Sequence, residues 1–191
     1  MSATNRLPTH RAGRLPDWEI SVRKRSVCRL ARADGAVGTG FIVTFDHSLC
    51  LMTNHHVLPG REYVAGAKAW FDDDGTDADE ASANSSWPLD LTLAPDTMFL
   101  YDQDLDYAIC GLSNESLRLL NEQRVRALPV SNSPVRLGDT VVLIQHPDGG
   151  GRELSIDSIT DLFSSFVTYQ CETAAGSSGS PVLRAWEVVH T

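Results

Sequence analysis

The chain has 191 residues, 42% of them hydrophobic and 21% charged, the proportions of one ordinary globular domain or two tightly joined subdomains. No apolar run approaches the roughly 20 residues that span a bilayer, and the first 16 residues lack the apolar segment of a secretory signal, so a cytoplasmic protein without a membrane partner is expected. The net charge of −9 is uneven: residues 1–32 hold eight basic groups against Asp17 and Glu19, which leaves a balance of −15 in the remainder.

Residues 1–26 therefore read as a basic arm on an acidic body, packed against that body or loose in solvent. Nucleic-acid binding has only this charge in its favour and is not expected. From Val27 onward, short strand-like runs alternate with Gly, Pro, Asn and Asp clusters, the pattern of an all-β sandwich or barrel. The first half offers strands at 27–31, 40–45, 50–54, 65–71, 89–93 and 107–111. Between the fourth and fifth lies DDDGTDADE (72–80), whose six acids do not match a calcium-loop spacing and read as a solvated loop. Ser113 can cap one short helix reaching Gln123, with Leu117 and Leu120 on its apolar side. The second half offers strands at 140–146, 151–160, 168–172, 180–183 and 186–189. Cys28, Cys50, Cys110 and Cys171 show no metal-ligand spacing and sit in apolar runs, where a small buried thiol is the usual occupant. No metal or other cofactor is expected, and no oxidising compartment is required.

The strongest chemical signal is Gly176-Ser177-Ser178-Gly179-Ser180-Pro181. Gly/Ser runs are common in linkers, but this one lies between the apolar segments 166–171 and 181–183. Flanking glycines permit a tight turn that exposes a serine hydroxyl and leaves substrate room to approach the backbone. The amides of Gly176 and Ser178 can then converge as an oxyanion hole. A serine nucleophile needs a base, and His55 and His56 end a strand-like run, a placement open to a cleft; residue chemistry does not choose between them. A carboxylate must orient that base. Of Asp102, Asp104 and Asp106, only Asp106 abuts the apolar run 107–110, where it can be partly buried and fixed.

The segments GTGF (38–41), TNHHVL (53–58), LDYAI (105–109) and GSSGSPV (176–182) occur in the order of the trypsin-like serine peptidases, and the sequence resembles that family over about 27–189. GDTVVLIQHPDGG (138–150) and GSSGSPV resemble its intracellular and bacterial branch most. The resemblance implies two six-stranded antiparallel β-barrels, the first over 27–111 and the second over 130–191. It implies a His56, Asp106, Ser178 triad, with the histidine before the valine as base, and oxyanion donors at the Gly176 and Ser178 amides. Ser177 stands where secreted members carry the aspartate of their zymogen switch, so activation by that ion pair is not expected. Val57 and Ala174 replace two of their cysteines, in keeping with a reducing compartment. By the family pattern Glu172 and Thr173 lie at the base of the substrate pocket, where a carboxylate favours a basic P1 residue. Only 13 residues follow Ser178, so the second barrel is expected to be incomplete and to present an open edge that a partner protein can complete. The function implied is an endopeptidase acting on protein or peptide substrates. The competing expectation is a catalytically weak protease-fold module that binds a protein partner.

Overall fold

The computed structural model describes residues 17–71, 89–184 and 187–189. The acidic loop at 72–80 and the first 16 residues lie outside the described residues. Residues 17–24 of the expected arm form helix α1 (Asp17–Lys24), with Arg23 and Lys24 in its last turn, where the helix dipole favours cations.

Seven strands follow: β1 (Val27–Ala31), β2 (Val37–Phe45), β3 (Ser48–Thr53), β4 (Lys68–Phe71), β5 (Leu89–Leu91), β6 (Phe99–Asp102) and β7 (Tyr107–Gly111). They form one antiparallel sheet in the order β5-β4-β1-β2-β3-β7-β6. The β2–β3 hairpin closes through Asp46 and His47, both at positive φ (45° and 62°), as a two-residue turn of matching twist requires. Ser113 then caps α2 (Asn114–Glu122), its Oγ accepting from the Ser116 amide at 3.1 Å, and Leu120 is wholly buried.

The second half holds β8 (Thr140–Gln145), β9 (Glu153–Ser158), the hairpin of β10 (Asp161–Leu162) with β11 (Val167–Thr168), β12 (Val182–Arg184) and β13 (Glu187–Val188). Four of these form a sheet in the order β13-β12-β8-β9. The expected six-stranded barrels are not closed. One isolated bridge, Leu93 to Leu112, joins the segments that follow β5 and β7, while the edge strands β5 and β6, three and four residues long, are not paired with each other. The smaller sheet is open, and on its β13 side the Val188 amide donates to Pro129 O (2.8 Å) and the Ser131 amide to Val188 O (2.9 Å). A segment of the same chain thus lines β13.

The central strands bury both faces, which explains why β2 is buried without interruption from Gly38 to Val43. Cys28, Leu30 and Ile42 point into the core of the first half. Val27, Phe41 and Val43 point the other way, onto Ile144, Leu183 and Val188 of the second half. Arg29 and Thr39 are cross-strand partners in register with Val27 and Phe41, so they occupy this same inter-sheet face, further along the strands.

Ile144 is wholly buried in that inter-sheet core, so Ile144→Ala should lower unfolding stability by about 2–5 kcal/mol in urea denaturation. Asp139 supplies a pH test. Its carboxyl is partly desolvated, but bonds from Arg184 Nη1 (3.0 Å) and the Arg136 amide (2.9 Å) outweigh this and hold its pKa below the usual carboxylate range. A carboxyl depressed in the folded state stabilises above its unfolded pKa and loses that contribution as pH falls through the folded one. Asp139→Asn should therefore be less stable than wild type at pH 7, and the gap should narrow below about pH 4.

Candidate active site

At the end of β3 the chain coils, with the Val57 and Leu58 amides both donating to Asn54 O at 3.2 Å. Val57 and Leu58 are buried, which leaves the two preceding histidines at the surface. The structure separates them. His56 Nδ1 lies 2.7 Å from Asp106 Oδ2, and the His56 amide donates to Asp106 Oδ1 at 3.0 Å. His55 instead stacks on Tyr101, with ring centroids 5.0 Å apart. Held this way, His56 donates from Nδ1 and presents the lone pair of Nε2. Asp106 sits at φ +52°, an uncommon conformation for a residue with a Cβ, and its carbonyl accepts from Asn54 Nδ2 at 2.7 Å. Asp102 plays no part in this pair. Its Oδ1 accepts from the Asp104 and Leu105 amides, both at 2.9 Å, and closes the turn before β7.

Ser178 is half-buried between two glycines in the left-handed region, Gly176 at φ +89° and Gly179 at φ +86°. A Cβ on Gly179 would lie 2.1 Å from Thr39 O and 2.2 Å from Thr53 Oγ1; one on Gly176 would lie 2.7 Å from both Gly149 N and His146 O. Backbone approach this close excludes any side chain. The loop is tied to the first half at three points. The Thr39 amide donates to Ser178 O (2.8 Å), Thr39 Oγ1 donates to Gly176 O (2.8 Å), and the Gly179 amide donates to Asn54 Oδ1.

Two amides stay available. The Ala175 carbonyl accepts from the Asp148 amide, and the Ser177 carbonyl accepts from the Ser180 amide (3.1 Å) and hydroxyl (2.6 Å). In a trans peptide the N–H points opposite to the C=O. The Gly176 and Ser178 N–H groups are thus turned away from the structure that holds their carbonyls. Among the described residues neither donates to another protein group.

Glu172 and Thr173 are exposed. The Glu172 carbonyl accepts from Gln145 Nε2 at 3.0 Å, and its carboxylate enters no ion pair among the described residues. Sequence reasoning did not single out Thr39, Asn54 or Gln145, the side chains that hold the site together. Thr39 and Asn54 were in view only as members of GTGF and TNHHVL; their partners His146, Gly176 and Gly179 lie more than 100 residues away. No described cluster of His, Cys, Asp or Glu has the makings of a metal site. No helix among the described residues is long and apolar enough to cross a membrane.

A family model for the trypsin-like peptidase domain matches residues 38–189. No curated protein matches the chain in sequence. Among solved structures, Deg5 superposes with a TM-score of 0.65 at 16% identity, over 90% of this chain and 80% of that one. The Rv3671c protease from M. tuberculosis in its active form gives 0.60 at 20% identity, over 98% and 80%. The inactive form of the Rv3671c protease gives 0.61 at 19%, over 89% and 77%. At these identities the likeness is one of fold.

The close approach at Gly179 should be measurable. Gly179→Ala combines a disfavoured φ with a steric clash and should cost about 3 kcal/mol or more in urea denaturation. Gly138→Ala, at φ +79° in open space, should cost only about 1–2 kcal/mol.

Proposed function

Because the chain belongs to the trypsin-like peptidase family, we propose that it is a serine endopeptidase acting through an acyl-enzyme, with Ser178 as nucleophile, His56 as base and Asp106 as its orienting carboxylate. The observation that carries the reading is the two-point hold of Asp106 on His56, through Nδ1 at 2.7 Å and the amide at 3.0 Å. It selects the tautomer whose Nε2 accepts a proton, and it stabilises the imidazolium that forms.

In this mechanism Ser178 Oγ attacks the scissile carbonyl carbon while His56 Nε2 takes the hydroxyl proton. The carbonyl oxygen becomes an oxyanion between the Gly176 and Ser178 N–H groups. His56 then returns the proton to the departing amine, leaving an ester on Ser178, and a water repeats the sequence to release the acid. We read the cleft as lying between the two sheets, in the paired-barrel arrangement of the family and of its GSSGSPV-bearing branch. The buried Cys50 and Cys110, neither in a disulfide, support the reducing, cytoplasmic setting expected from sequence; burial pushes the Cys110 thiol up to about 12.

Labelling with a fluorophosphonate tests the nucleophile. Wild type should label, Ser178→Ala should not, and Asp106→Asn should lose about 10⁴ in peptide turnover while remaining folded. A folded wild-type chain that resists the probe would overturn the reading.

A preference for basic P1 residues rests on the exposed Glu172 carboxylate, whose backbone is fixed by Gln145. Fluorogenic peptides with Arg or Lys at P1 should be cleaved with higher kcat/KM than those with Leu or Glu. Glu172→Gln should lower kcat/KM for the basic pair about tenfold and leave the Leu peptide unchanged.

A further inference from the structure

The Gly176 N–H owes its direction to one bond, from the Asp148 amide to Ala175 O. Glycine tolerates both orientations of the preceding peptide at little cost, so the direction is set by what holds Asp148.

Asp148 lies in the turn Pro147–Gly149, where Asp148 and Gly149 both have positive φ (53° and 66°). A non-glycine residue there costs about 1–2 kcal/mol and persists only when neighbours over-determine it. Internal bonds close the turn: Gly149 N to His146 O at 3.1 Å, Gly150 N to Pro147 O at 2.8 Å, and His146 Nδ1 against Gly150 O at 3.0 Å. These shape the turn, and the His146 amide, which donates to Thr39 Oγ1 at 3.0 Å, ties its start to the first sheet.

The turn's tip is held by Arg29. Arg29 Nη1 donates to Gly149 O at 2.8 Å across 120 residues of sequence. Its guanidinium lies over the Trp70 ring, 4.9 Å from the centroid, and Trp70 is its directly opposed partner on β4. The contact with the ring and the bond to Gly149 O together hold the guanidinium, whose fork of N–H donors a lysine ammonium does not reproduce.

We infer that Arg29, braced by Trp70, is a positioning residue: by holding Gly149 O it sets the 147–149 turn, the Asp148 to Ala175 bond and hence the Gly176 N–H. The inference rests on the proposed function only in taking that N–H as an oxyanion donor. Arg29 touches no reacting atom. Its removal should therefore weaken oxyanion stabilisation without altering substrate binding or the His56–Asp106 pair.

The test uses the full chain with Arg29→Met and Arg29→Lys. With p-nitrophenyl acetate, Arg29→Met should lower the acylation rate about 10–100-fold, and KM should change less than twofold. Arg29→Lys, which keeps the charge but not the stacked fork, should recover only part of the loss. Hydrogen exchange gives a readout independent of activity. In an Arg29→Met, Ser178→Ala double variant the Asp148 amide should exchange at least tenfold faster than in Ser178→Ala, while the Ile42 amide keeps its protection. Wild-type acylation with unchanged Asp148 exchange overturns the inference, as does either change without the other. Equal loss of protection at Ile42 marks general unfolding and overturns it too. If wild type does not acylate at all, the proposed function falls, and the hold of Arg29 on the turn is decided by Asp148 exchange alone.

Discussion

The site depends on Thr39 using every hydrogen-bonding group it has. Its amide donates to Ser178 O and its carbonyl accepts from Thr53 Oγ1; its hydroxyl accepts from the His146 amide and donates to Gly176 O. The residue is wholly buried, so each bond is made away from competing water. One residue on β2, through its backbone and its hydroxyl, thereby fixes the end of the strand that leads to His56, the start of the 146–150 turn and the loop that carries Ser178. A buried network of this kind favours one arrangement strongly, because any slip leaves several polar groups unpaired at once. Asn54 makes the complementary tie, joining Asp106 O to the Gly179 amide.

Such a hub works only where two layers meet. β2 and β8 each bury both faces, one into the core of their own half and one into the shared core of Phe41, Val43, Ile144 and Leu183. The shared core brings the sheets together without direction, through apolar contact. Arg29 and Thr39, further along the same face, supply the direction. Packing thus brings the halves together and hydrogen bonds set their register.

Much of this was legible in the sequence. β1 and β7 fall at the residues their apolar runs suggested, and Ser113 caps α2 as read. His56 lies within hydrogen-bond distance of Asp106, while His55, left equal to it by residue chemistry, stacks on Tyr101. β6 was missed because it is a short edge strand with Leu100 and Tyr101 turned outward, so no alternation marks it. β10, two residues long, carries no periodic signal. The closed barrels came from resemblance; the actual pairing depends on strand lengths that local composition does not set. The lining of β13 by Pro129–Ser131 was invisible for a related reason, since a stretch without strand character supplies the bonds. Thr39 and Asn54 lay in plain view as motif members, but a buried polar hub is recognised only through its partners.

The distances along the chain between those partners bear on how the molecule is made. Thr39 and Gly176 are 137 residues apart, Asn54 and Gly179 are 125, and Arg29 and Gly149 are 120. Contacts of such span close large loops and form late, after each sheet has paired locally. During synthesis the emerging chain holds His56 and Asp106 long before Gly176 and Ser178 leave the ribosome. Even then the serine loop lacks its ties until both sheets have docked. The arrangement of the serine loop is therefore a property of the finished tertiary structure, and a chain caught half-folded does not have it.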